Sequence, residues 1–109
     1  MDTLHETNLD VLKERATRAL KTVIDPELFV NIIDLGLVYD MLFFAEYIQI
    51  KMTLSTPHCP LGETIISRVD QAMSAEFPDS EIIVTLVWQP AWDPNLITDE
   101  GRAELYLPL

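Results

Sequence analysis

The stretch Tyr47-Ile48-Gln49-Ile50-Lys51-Met52-Thr53-Leu54-Ser55-Thr56-Pro57-His58-Cys59-Pro60-Leu61-Gly62-Glu63 decides how this chain folds. Ile48, Ile50, Met52 and Leu54 alternate with Tyr47, Gln49, Lys51 and Thr53, the period of a half-buried strand. From Leu61 the period changes. Leu61, Ile65, Val69, Ala72, Met73 and Phe77 recur at spacings of three and four, the stripe of an amphipathic helix. The residues between must form a strand-to-helix turn, and they hold the only cysteine, Cys59, and one of the two histidines, His58. A thiol just ahead of a helix faces unpaired backbone N–H groups and the positive end of the helix dipole, both of which favour thiolate. Thiolate is the form that ligates metal or attacks as a nucleophile. Pro57 and Pro60 stiffen the turn around it. The competing reading is a small hydrophobe buried in a loop, a common fate of free cysteine.

Upstream, Val38 to Phe44 reads as a second strand, joined to the first by a hairpin turn at Ala45-Glu46. Asp34-Leu35-Gly36-Leu37 is a tight turn feeding it, with Gly36 supplying a backbone angle that other residues resist. Before that, Leu9, Leu12, Ala16, Ala19, Leu20 and Val23 fall on one helical stripe, with Asn8 as N-cap. Lys13, Arg15, Arg18 and Lys21 occupy its other faces, and the simplest reading is a solvated surface. Pro26 pushes Asp25 out of helical geometry and ends the helix. Asp25 and Glu27 then have two readings: caps of a short turn begun by Pro26, or carboxylates reaching toward the Cys59 loop.

Downstream, Pro78-Asp79 ends the second helix, and Glu81 to Trp88 forms a third strand with Ile82, Val84 and Leu86 on one face. A strand, a helix and a strand of these lengths make a crossover, so those two strands run parallel. The predicted fold is α+β: a two-layer sandwich of order α-β-β-α-β with a three-stranded mixed sheet and a short C-terminal helix capped by Thr98. One domain spans residues 8–109, with 1–7 frayed. Both tryptophans, Trp88 and Trp92, lie in the proline-rich Trp88–Pro94 segment, either as a lid on the core or as an anchor for a partner.

Composition narrows the function. Eighteen acidic against seven basic residues give a formal net charge of −11. That disfavours nucleic acid and anionic membrane surfaces, both of which require clustered cations. One cysteine excludes an internal disulfide. With no basic-then-apolar leader and no run of membrane-spanning length, a cytoplasmic setting is expected. The three glycines, at 36, 62 and 101, form no phosphate loop. No G-x-S-x-G elbow appears. Cys and His total three, short of a structural zinc set.

Several ordered segments resemble the metal–sulfur cluster assembly factors, a family that includes the SufT-like and PaaD-like proteins. They are Asp25-Pro26-Glu27-Leu28, Asn31 to Asp40, Met52-Thr53-Leu54 running into Thr56-Pro57-His58-Cys59-Pro60, Trp88-Gln89-Pro90-Ala91-Trp92, and Thr98 to Leu105. The resemblance implies the same α-β-β-α-β sandwich. It further implies a non-enzymatic role in building or delivering iron–sulfur clusters, with Cys59 as the key residue and Asp25, Glu27, Asp34 and Thr56 lining its site. Phe29 stands where many members carry Gly, and Gln89 where an acidic residue is common. PaaD-like proteins, accessory to a multicomponent oxygenase, continue into a cysteine-rich tail. No Cys follows Cys59 here, so the resemblance points to a general assembly factor.

Two functions of different class follow from these residues. In the first, Cys59 transiently ligates iron or a labile cluster, with His58 as a subsidiary ligand. Clusters usually take four thiolates. One thiol per chain therefore leaves the shell to a second subunit in a homodimer, an apo client's cysteines or a small thiol, and no stably bound cluster is expected. In the second, a metal-free adaptor docks assembly proteins to clients through its acidic surface and Trp88 and Trp92. Thiol–disulfide chemistry is disfavoured, because the chain has no resolving cysteine.

Overall fold

Strand β2 (Tyr47–Met52) carries the cleanest alternation in the molecule. Ile48, Ile50 and Met52 are buried while Tyr47, Gln49 and Lys51 are only partly covered. The computed structural model describes residues 9–56 and 61–105. Asn8, His58, Cys59 and the expected frayed terminus lie outside the described residues.

β2 is the middle strand of a three-stranded sheet of order β1-β2-β3. It pairs antiparallel with β1 (Val38–Phe43) and parallel with β3 (Glu81–Leu86). Helix α1 (Leu9–Leu20) precedes β1. Helix α2 (Gly62–Glu76) makes the crossover from β2 to β3, and a short α3 (Asp99–Leu105) follows a 3-10 turn at Pro94–Leu96. The element order and mixed sheet are those the sequence periodicity predicts, and so is the Thr98 cap, whose Oγ1 accepts from Gly101 N at 3.0 Å. No described helix is long and apolar enough to cross a membrane.

The core lies between the sheet and helices α1 and α2. Ala16 and Leu20 of α1, Ile65, Val69 and Met73 of α2, and Ile48, Ile50 and Met52 of β2 meet there. Each of the larger aliphatic side chains, Ala16 aside, contributes about 1.5–3 kcal/mol when fully removed from water. Two details of the expected helix stripes are corrected. Leu9 and Leu61 lie at or beyond helix ends and stay 45% and 37% exposed. Arg15 is not a solvated cation. Its Nε donates to Glu76 Oε2 at 2.7 Å and its Nη2 to the Glu76 carbonyl at 2.8 Å. The guanidinium also lies over the Phe77 ring, 4.4 Å from the centroid, tying α1 to the end of α2. A 61-residue separation hides such a partner from local pattern.

Between α1 and β1 the chain makes a small loop closed by the Ile24–Asn31 bridge. Asp25 organises it. Its Oδ1 accepts from Glu27 N at 2.7 Å and Leu28 N at 2.9 Å, and its backbone exchanges bonds with Val30 O and Phe29 N. The loop forces Phe29 to φ 61 and leaves it 74% exposed. A side chain in the left-handed region costs about 1–2 kcal/mol, partly offset in glycine by lost chain freedom. Phe29→Gly is therefore expected to stabilise the fold by about 0.5–1 kcal/mol. Urea or thermal unfolding checks it, and a variant no more stable than the parent would show that Phe29 is unstrained.

Candidate functional site

The candidate residues sit on three segments: the Asp25–Leu37 loop region, the exit of β2 at Thr53–Thr56, and the tryptophan segment after β3. The backbone welds them together. Thr53 N donates to Leu37 O at 2.9 Å, and Val87 N to Met52 O at 2.8 Å. Trp92 Nε1 donates to Leu35 O at 2.7 Å, and Tyr39 Oη to Pro90 O at 2.8 Å. The exit of β2, from which the chain leads to Cys59, is thus held between the turn before β1 and the segment after β3.

Asp25 is buried, and its Oδ1 serves the two amides of its own turn. This is the capping geometry weighed from the sequence. Glu27 is exposed. Asp34 is 8% exposed and paired reciprocally with Asn31: Asn31 Nδ2 donates to Asp34 Oδ2 and Asp34 N to Asn31 Oδ1, both at 2.8 Å. The Asp34 carbonyl also accepts from Thr98 N at 2.8 Å. Thr56 is half-buried. His58 and Cys59 lie outside the described residues. Among the described residues, no three His, Cys, Asp or Glu side chains cluster closely enough to hold a metal ion.

The two tryptophans part company. Trp92 is half-buried, packed against the core and hydrogen-bonded to Leu35, whereas Trp88 is 43% exposed. With Ala91 they wall a cleft of ≈ 220 Å³ whose other side is Thr53, Leu54 and Ser55. Thr53 is fully buried, and its Oγ1 has no hydrogen-bond partner among the described residues. A buried hydroxyl left unpaired costs about 1–3 kcal/mol. The β2 alternation placed Thr53 on the solvent side, whereas in the fold it lines a cleft with Trp88, Ala91 and Trp92, distant in sequence. Asn31 was also passed over, although Asn three residues before Asp is a visible turn signal.

Comparison with known proteins bears on these segments directly. A family model described as iron–sulfur cluster assembly protein matches residues 13–83. The chain is 42% identical over 99 residues to the Fe-S protein maturation auxiliary factor YitW of Bacillus subtilis, covering 88% of this chain and 95% of that one. It is 38% identical over 85 residues to the Fe-S protein maturation auxiliary factor SufT of Staphylococcus aureus, covering 76% and 96% respectively. Among solved structures, a domain of unknown function from Bacillus anthracis superposes with a TM-score of 0.86 at 31% identity, covering 94% of this chain and 99% of that one.

Two outcomes test the architecture of the site. Trp92→Ala is expected to cost about 2–4 kcal/mol, since it removes a packed aromatic and leaves the Leu35 carbonyl unpaired. Trp88→Ala should stay within about 0.5 kcal/mol of the parent. Equal losses in chemical denaturation would refute this division. Tyr39 supplies a pH test, because burial raises its phenol above the usual 10.0. Folding thus favours the protonated phenol, and donation to Pro90 needs that proton. The stability this contributes is complete below the unfolded pKa and is lost as pH rises through the raised folded value. The stability gap between parent and Tyr39→Phe should therefore narrow in alkali, and a gap that widens would contradict the burial.

Proposed function

This chain belongs to the iron–sulfur cluster assembly protein family, and from that membership we propose that it is a maturation auxiliary factor whose Cys59 transiently ligates iron or a cluster on its way to client proteins. The carrying observation is that the matched span, 13–83, encloses Asp25, Glu27, Asp34, Thr56, His58 and Cys59. Its relatives are named as auxiliary factors, and the reading assigns it no chemical turnover of its own.

The ligand chemistry supports a carrier. Cys59 is the single thiolate the chain can offer, against the usual four of a cluster. Oxygen donors are poor substitutes for sulfur at such centres. Asp25 and Asp34 already accept hydrogen bonds from the loop that holds them. The rest of the shell falls to the cysteines of the receiving protein or to small thiols. A cargo held by one strong ligand is easily surrendered, which is what delivery requires. Assembly proteins and apo clients are the partners this implies, and the exposed indole of Trp88 beside the exit of β2 is a contact open to them.

Anaerobic reconstitution with iron and sulfide, then transfer to an apo-ferredoxin followed by absorption, tests the proposal. The parent should pass its cargo on within the time of mixing, and Cys59→Ala should lose at least about tenfold in transfer rate, as expected when the single good ligand is removed. Transfer at an undiminished rate by Cys59→Ala would end the ligand role. Failure of the parent to carry iron or sulfide under any condition would leave a metal-free adaptor.

A further inference from the structure

The sheet has two outer strands, and they are finished differently. β1 is blunted twice. Its register breaks between Val38 and Asp40, and the Asp40 carboxylate accepts from Met41 N at 2.9 Å, occupying an edge amide. A bulge and a charged edge residue are devices that prevent strand addition. β3 has neither. Its register against β2 is unbroken from Tyr47–Glu81 to Met52–Leu86, and Glu-Ile-Ile-Val-Thr-Leu contains no Pro, Lys or Gly. No described strand pairs with its outer side.

The direction of its free groups can be read from two bonds. Glu81 N donates to Glu46 O and Val87 N to Met52 O, so the odd-numbered residues of β3 turn their amides toward β2. Successive residues of a strand face opposite ways, so Ile82, Val84 and Leu86 present N–H and C=O away from β2, to an edge that no described strand occupies. These three also form the core-side row, and all three side chains remain partly exposed.

The geometry points to a second copy of this chain as the occupant, joined through β3 antiparallel to β3 about a two-fold axis at Val84. Outward-facing residues must oppose one another, and this register opposes Val84 to its own copy and Ile82 to Leu86 of the second copy. Each such pair exchanges both backbone bonds. On the core side it meets β-branched with β-branched and Ile with Leu. On the solvent side Ile83 meets Thr85, pairs that stabilise sheets. The one charge on the strand, Glu81, falls opposite Val87 and never opposite itself, which a self-pairing edge requires. The opposing force is the formal net charge of −11 on each copy. Salt screens that repulsion while leaving the strand pairing intact. The two-fold also sends the exits of β2, which run parallel to β3, to opposite ends of the joined sheet. Each copy then keeps a separate Cys59-bearing loop, and its cargo is shared with a client rather than with the second subunit.

Sedimentation velocity on the full chain tests this without reference to iron. The expected result is a dimer at tens of micromolar, with a dissociation constant that falls as salt is raised from about 0.02 to 0.5 M. Val84→Pro removes only an outward amide, which an edge strand tolerates. It should keep the parent circular dichroism and weaken the dimer at least about tenfold, as loss of a paired edge donor implies. Should that variant unfold, Ile83→Lys, at a 37% exposed position, supplies the same test by placing an edge lysine. Cys59→Ser should dimerise like the parent. A monomer at every concentration and salt, a dimer indifferent to both edge variants, or one lost with Cys59→Ser would each overturn the proposal.

Discussion

The hydrogen bond from Trp92 to the Leu35 carbonyl, at 2.7 Å, marks the joint on which the rest of the molecule depends. One residue on, Gly36 sits at φ +76, and a Cβ there would lie 2.4 Å from the Leu96 carbonyl. Glycine is needed twice over, for the angle and for the close approach. Asp34, two residues before Gly36, accepts from Thr98, and a Cβ on Gly101 would press to 2.8 Å from the Asp34 carbonyl. The segment after β3 is therefore wedged into the turn that launches β1. Through Thr53 N to Leu37 O the same joint sets where β2 ends and the Cys59 loop begins. A chain with so short a sheet has few ways to fix the end of its central strand, and this one uses the segment after β3.

That joint also explains what the sequence could and could not tell. The strands, both long helices and the parallel crossover follow from hydrophobic period, and the period is strongest where one face is buried, as in β2. Gly36 and the Thr98 cap were legible because they are local. What escaped depends on residues far apart in the chain. Arg15 looks solvated until Glu76 and Phe77 are brought beside it, and Thr53 looks exposed until Trp88 and Trp92 close over it. The same holds within the tryptophan segment. Spacing cannot separate Trp88 from Trp92, because the choice between solvent and core is made by the Leu35 carbonyl. For the site itself, resemblance placed Asp25, Glu27 and Asp34 near Cys59, whereas residue type and spacing alone favoured capping for Asp25 and Glu27 over a reach toward the Cys59 loop.

Capping accounts for much of this acidity. Asp25 and Asp34 are buried at 1% and 8% exposure, and each spends an oxygen on its own loop. A carboxylate committed to backbone amides is held in place, but it offers fewer lone pairs to anything else. Phe29 shows the cost of the same loop. Its left-handed backbone accompanies the closure between Asp25 and Val30, and the ring is left 74% exposed to solvent.

The charge balance completes the electrostatic picture. Of the seven basic residues, Arg15 is tied to Glu76, and Arg102 lies against the Ile97 and Pro94 carbonyls at 3.3 Å. The remaining cations are too few to neutralise eighteen acidic residues, so the surface field is negative and draws cations from solution without choosing among them. Oxygen donors serve magnesium and calcium, which are abundant, as well as iron, so carboxylates alone do not select iron. Discrimination must then come from a soft donor. On the ligand role proposed for it, Cys59, the single thiol of the chain, is the donor that would make that choice, while the acidic surface raises the local supply of cations.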